Sequence, residues 1–209
     1  MMSVSIIERQ LFLRIFGPAH LEPAATQVTY TSREDIEVLL ALSQTFRPKI
    51  VIEIGIQRGV TSKILLTQAP WIEKYVGIDI TPDARPTLEG QYDEVPLKAG
   101  ELVSSDPRVE VVVRPNGSRD LRVTDLPVAD LMFIDGDHSE TCVLHDTWLA
   151  RQVVRAGGII CWHDYNNVTD VTKVIDDFNI REGDHICSVT GTWVCFEFRR
   201  DDGRAEGRA

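Results

Sequence analysis

Val51-Ile52-Glu53-Ile54-Gly55-Ile56-Gln57-Arg58-Gly59-Val60-Thr61-Ser62 reads as an apolar strand that runs through an acid into a turn with glycines four apart, where a helix begins. A glycine turn at a strand end lets a ligand approach the backbone closely, and the N-terminus of the following helix offers free N–H groups. In dinucleotide enzymes the GxGxxG fingerprint uses both features to hold a pyrophosphate. Here Gln57 takes the second glycine's place and Glu53 precedes the first glycine. A carboxylate beside the turn suits a cationic ligand better.

Working outward, similar apolar runs bounded by turn formers recur at Lys49–Ile54, Lys74–Ile80, Val109–Val113, Ala129–Ile134 and Gly158–Trp162. Their near-continuous Val and Ile content, without polar alternation, predicts strands covered on both faces. Between them Glu34–Phe46 and Glu140–Arg155 carry apolar residues at helical spacing, and Thr61–Gln68 and Val168–Phe178 are shorter helix candidates. Ser5–Phe16 predicts an N-terminal helix with Ile7, Leu11 and Ile15 on one stripe, ended by Gly17-Pro18. Four prolines make Thr81–Arg108 a loop-rich insertion, with room for a short helix over Leu97–Val103. Two β-rich runs, His185–Val189 and Trp193–Phe198, flank Thr190-Gly191-Thr192 and predict an antiparallel hairpin closing one sheet edge. Alternating strands and helices give an α/β, doubly wound, mostly parallel sheet that binds ligands beyond the carboxyl ends of its strands.

Bulk properties narrow the function. The 209 residues fit one domain, and 43% apolar with 26% charged residues describe a globule with a core of its own. A net charge of −10 disfavours a nucleic-acid partner. No apolar run is long enough to span a membrane and no secretory leader is visible, so a cytoplasmic protein is expected. Cys142, Cys161, Cys187 and Cys195 show no zinc spacing and are expected as free thiols. A homo-oligomer is allowed, but no residue pattern fixes the oligomeric state.

Four acids, Glu53, Asp79, Asp135 and Asp164, fall at four strand ends, where charged groups seldom sit without partners. Asp79 closes Tyr75-Val76-Gly77-Ile78-Asp79 about 20 residues beyond the glycines, where an acid can accept from both ribose hydroxyls. With this pair the sequence resembles the class I S-adenosylmethionine-dependent methyltransferases over roughly 50–164. The resemblance implies one Rossmann-like, seven-stranded methyltransferase domain over 34–200; the helical stripe before it makes 1–33 an N-terminal helical segment, and the polar 201–209, without core-forming residues, is expected as a flexible tail. The resemblance also implies that Glu53, Gly55, Gly59 and Thr61 lie at the methionine part of the cofactor, that Asp79 holds the ribose, and that Asn116-Gly117-Ser118 lines the adenine.

The stretch Phe133-Ile134-Asp135-Gly136-Asp137-His138-Ser139, then a helix, then Gly157-Gly158 and a strand ending in Trp162-His163-Asp164-Tyr165, resembles the small-molecule O-methyltransferases related to those that methylate sugar hydroxyls of macrolides. That likeness implies a divalent cation, most simply Mg²⁺, on Asp135 and Asp164, with Asp135 also beside the cofactor, and His138 as the base that takes a proton from a hydroxylated small-molecule acceptor. Because His163 and Tyr165 stand where relatives often carry another acid or an Asn, six oxygen ligands would need waters, substrate oxygens or Asn166 and Asn167; a metal-free site is the rival reading. His163 is expected to orient Asp164. Trp162, Tyr165 and Trp193 are candidates for either an acceptor pocket or the core. Two other functions stay open at this point: an NAD-dependent oxidoreductase, disfavoured by the missing GxGxxG, and a cofactor-binding domain without turnover.

Overall fold

A computed structural model describes residues 4–17, 30–181 and 185–200. The elements in chain order are β1 (Ser5–Ile7), α1 (Arg9–Phe16), α2 (Arg33–Phe46), β2 (Ile50–Ile54), α3 (Val60–Gln68), β3 (Lys74–Ile80), β4 (Val109–Arg114), β5 (Ala129–Ile134), α4 (Glu140–Val153), β6 (Val154–Trp162), α5 (Thr169–Arg181), β7 (Cys187–Val189) and β8 (Cys195–Phe198). They build one sheet in the order β1-β7-β8-β6-β5-β2-β3-β4. All pairs are parallel except β6 with β8 and β7 with β8.

The strands are buried on both faces, as their composition requires. Val51, Leu131 and Phe133 face a core shared with Phe12, Leu39 and Leu65 from α1, α2 and α3. Their neighbours Ile52, Ile54, Met132 and Ile134 face a second core filled by Val143 and Leu149 of α4 and Val174 and Ile175 of α5. This alternation, with apolar residues on both sides, gives a three-layer sandwich. From β2 the chain steps outward to β3 and β4, then returns to β5 on the other side of β2. The crevice therefore opens at the ends of β2 and β5.

Three expectations are corrected. The sheet has eight strands, because Ser5–Ile7 pairs with β7 instead of starting the helix. Glu8 caps α1 through Leu11 N, at 3.2 Å, and the buried side chain of α1 is Phe12, while Leu11 and Ile15 are exposed. The C-terminal hairpin lies inside the sheet, with β8 on β6, so the edge is closed by β1. Finally, Leu97–Val103 forms turns, because Gly100 adopts φ +65° and a left-handed residue cannot continue a right-handed helix. A short 3-10 helix, Glu89–Glu94, occurs earlier in the insertion.

Smaller shifts have local causes. The helix expected to run to Arg155 stops at Val153, since Val154 already pairs with Ala129 in β6. The tail at 201–209 and Pro18 lie outside the described residues. All four cysteines are free thiols. Among the described residues no helix is long and apolar enough to cross a membrane.

Candidate functional site

Gly55 follows β2 with φ +86°, and a Cβ there would lie 2.0 Å from the carbonyl oxygen of Asp135. Only glycine lets the turn after β2 and the loop after β5 touch this closely. Their contact sets the floor of a cleft with two arms. One arm is lined by Gly55, Asp79, Ile80, Asn116, Gly117 and Ser118. The other is lined by Glu53, Thr61, Asp135, His138, Asp164 and Trp193. The expected cofactor-binding residues thus line two adjoining arms that share Gly55 and Asp135, with one exception. Gly59 is the N-cap of α3, at φ +89° against Val103, and stays outside the lining.

Asp79 accepts from Gln57 N at 2.6 Å and from Ile80 N at 2.8 Å, one on each carboxylate oxygen. Burial outweighs these bonds and raises its pKa to about 6. Each oxygen keeps a second lone pair for a ligand hydroxyl. The first of these bonds also holds Gln57 at φ +49°, in the place a glycine takes elsewhere.

Glu53 is 2% exposed, and both Ser62 Oγ and Tyr75 OH donate to its Oε2 at 2.9 Å. Burial pushes its pKa up from 4.5 to about 8, so at neutral pH it is a carboxylic acid. The folded protein then keeps a proton that the unfolded chain releases as pH rises. Stability from this group is complete below about pH 4.5 and is lost as pH climbs to about 8. Glu53→Gln keeps an acceptor for both hydroxyls without the titration. Its melting temperature is expected to gain on the parent's as pH goes from 5 to 8.5; parallel curves would mean that Glu53 is already ionised in the fold.

At the other arm, Asp135, His138 and Asp164 bring ligand atoms within 4.8 Å of one another. His138 Nε2 is 3.1 Å from Asp164 Oδ2 and 3.7 Å from Asp135 Oδ1. His163, 3% exposed, lies behind them, with Nδ1 3.1 Å from both Asp135 Oδ1 and Asp164 Oδ2. Burial disfavours charge on Asp135, but His163 and His138 outweigh it and hold its pKa at about 2. Burial likewise opposes a proton on His163, and the facing carboxylates, Asp135 first, raise its pKa well above the ordinary value. Asp164 adopts φ +60°, and Asn167 Nδ2 donates to its Oδ1 at 2.6 Å. Asn167 thus orients the acid, while the backbone N–H of Asn166 donates to Thr172 Oγ1.

Sequence reading missed Asp35 and Gln91. Asp35 is completely buried and accepts from Ser32 N at 2.9 Å, from Trp193 N at 2.8 Å and from His163 Nε2 at 3.2 Å. It caps α2, ties down the loop carrying Trp193 and holds the far side of His163. Ser32-x-x-Asp35 is legible as a capping box, but its second task depends on a contact 128 residues away. Gln91 donates to Gly136 O at 3.0 Å and accepts from His138 N at 2.9 Å, fastening the insertion over the loop after β5. Of the three aromatic candidates, only Trp193 lines the cleft. Trp162 and Tyr165 belong to the core and donate to Thr147 Oγ1 and Asp176 Oδ1.

The family profile of a methyltransferase domain matches residues 52–165, more than half of the chain, from within β2 to just beyond β6. No curated protein sequence matches the chain. Among solved structures it resembles the S-adenosylhomocysteine-bound methyltransferase PaMTH1 of Podospora anserina at 14% identity and TM-score 0.61, over 87% of this chain and 83% of that one. It also resembles the O-methyltransferase TomG of Streptomyces achromogenes, solved with S-adenosylmethionine, at 14% identity and TM-score 0.53, over 92% of this chain and 88% of that one. At such identities these likenesses concern the fold. With the family profile laid over the cleft, the chain belongs to the methyltransferase-domain family.

Proposed function

We propose that the chain is an S-adenosylmethionine-dependent O-methyltransferase acting on a hydroxyl of a small molecule. The observation that carries this reading is the joining of the Asp79 arm to the Asp135-His138-Asp164 cluster through the Gly55 turn. Asp79 offers two acceptors to a ribose, and the cluster offers a base between two acids. Bound S-adenosylmethionine supplies a methyl group on a sulfonium; the acceptor oxygen bonds to that carbon as the carbon–sulfur bond breaks. His138 takes the hydroxyl proton, and the cleft holds the oxygen in line.

The donors also fit a divalent cation, since two carboxylates and an imidazole converge and both acids are oriented by His163. Hard oxygen donors of this kind suit Mg²⁺, Ca²⁺ or Mn²⁺. Held by Asp135 and Asp164, such an ion would act as a Lewis acid that lowers the acceptor hydroxyl's pKa. Engaged in this way, the two acids would also loosen their hold on the His138 proton and leave it free to act as base.

Donor binding is tested directly. S-adenosylhomocysteine at about 100 times its Kd is expected to add about 2.7 kcal/mol, a melting shift of roughly 5–10 °C for a chain of this size. NAD is expected to give none. Asp79→Ala is expected to weaken S-adenosylhomocysteine binding by roughly 1.5–3 kcal/mol, the range for hydrogen bonds to a charged group. A shift with NAD alone would reverse the assignment.

A further inference from the structure

The indole of Trp193, 40% exposed, lines the reaction arm and also a second groove, whose lining includes Ile6, Glu34, Asn166 and Ser188. Trp193 is held in place between the two. Its backbone N–H donates to Asp35 Oδ1 at 2.8 Å, and its ring meets the His163 ring edge to face at a centroid distance of 6.1 Å. Ser188, on β7, is only 6% exposed, yet its hydroxyl has no hydrogen-bond partner among the described residues. The side-chain amide of Asn166, in the same lining, has none either. A hydroxyl on so buried a residue is seldom left unpaired unless a ligand completes it.

The charges around Trp193 restrict what that ligand is. Among the described residues no lysine or arginine lines either the reaction arm or the second groove, while Glu94, Asp135 and Asp164 line the first and Glu34 the second. Arg9 Nη1 is 3.0 Å from Glu37 Oε2 but 3.8 Å from Glu34 Oε1, so its hydrogen bond goes to Glu37 and Glu34 keeps its acceptors. An indole face, a carboxylate and the free oxygens of a hydroxyl and an amide all attract a cation that donates and does not accept, which describes an ammonium. An anionic group would face acids with no cation to pair it. We infer that the methyl acceptor carries an amine, and that its ammonium lies over Trp193 in the second groove, against Glu34 and Ser188, while its hydroxyl reaches His138; this rests on the O-methyltransferase reading above.

Tyramine, 4-ethylphenol and 3-(4-hydroxyphenyl)propanoate, phenols of similar size with a cationic, a neutral and an anionic end, test this when titrated by NMR into the protein loaded with S-adenosylhomocysteine. Tyramine is expected to bind roughly tenfold more tightly than 4-ethylphenol, the combined effect of a cation–π contact and a partly exposed ion pair. The propanoate is expected to bind more weakly than either. Glu34→Gln is expected to lower tyramine affinity roughly threefold, the range of an exposed pair, and to leave 4-ethylphenol and S-adenosylhomocysteine binding unchanged. Ser188→Ala is expected to act in the same direction. Equal affinity for tyramine and 4-ethylphenol, or no binding of tyramine, overturns the inference without any variant, and so does a tyramine preference that survives both substitutions in full. Failure of the parent to bind S-adenosylhomocysteine overturns the methyl-donor assignment itself, so the two failures are distinguishable.

Discussion

His138→Ala is expected to lower the methyl-transfer rate by roughly 10²–10⁴-fold while leaving the Kd for S-adenosylhomocysteine nearly unchanged, the signature of a positioned base that does not hold the cofactor. The position is built by three independent contacts. Gln91 accepts from the His138 backbone at 2.9 Å, and the ring lies between Asp164, at 3.1 Å, and Asp135, at 3.7 Å. Burial works against a charged ring, but Asp135 and then Asp164 overcome it and raise the His138 pKa above 6.5. A base must first lose that proton. The parent's rate is therefore expected to rise with pH along an acid limb, and this limb is expected to vanish in the Ala variant. A variant that kept both its rate and the limb would remove His138 from the proton's path.

The parts of the protein legible in its sequence are those whose physics is local. Strands covered on both faces need continuous Val and Ile, and β2, β3 and β5 were visible for that reason. Their acids stood out because an apolar run seldom ends on a charge without cause. Ser5–Ile7 was hidden, since three residues are too few to show a period and Ile7 fitted a helical stripe by coincidence. The supports of the site were hidden for a different reason. Asp35 and Gln91 each sit where an acid or amide is ordinary, in a capping box and a short 3-10 helix, and their tasks arise only when distant segments meet. Gly59 shows the converse: the motif was read correctly as a turn, but its second glycine serves the turn's conformation and only Gly55 reaches the cleft.

Excess EDTA is expected to abolish turnover, and Mg²⁺ to restore it, while Asp164→Ala is expected to lose metal-dependent activity yet bind S-adenosylhomocysteine as the parent does. Asp164 is held for such a task at some cost. Its backbone takes φ +60°, Asn167 fixes Oδ1 at 2.6 Å, and His163 and His138 both lie 3.1 Å from Oδ2. A left-handed aspartate persists where its surroundings over-determine it, which is common at ligand sites. The rival is internal to the protein. His163 touches Asp35 on one side and Asp135 and Asp164 on the other, so a protonated imidazole already supplies one positive charge to the cluster. With His138 neutral, as a base must be, one charge against three carboxylates leaves the cluster negative even before the acceptor hydroxyl begins to ionise, and the remaining charge is what a divalent cation would neutralise. Binding of Mn²⁺, followed by its paramagnetic resonance, separates the alternatives without reference to rate. Loss of the bound signal in Asp164→Ala, with S-adenosylhomocysteine affinity intact, places the ion at this acid. Full activity in excess EDTA, with no bound Mn²⁺ in the parent, would leave the cluster's positive charge to His163 and His138.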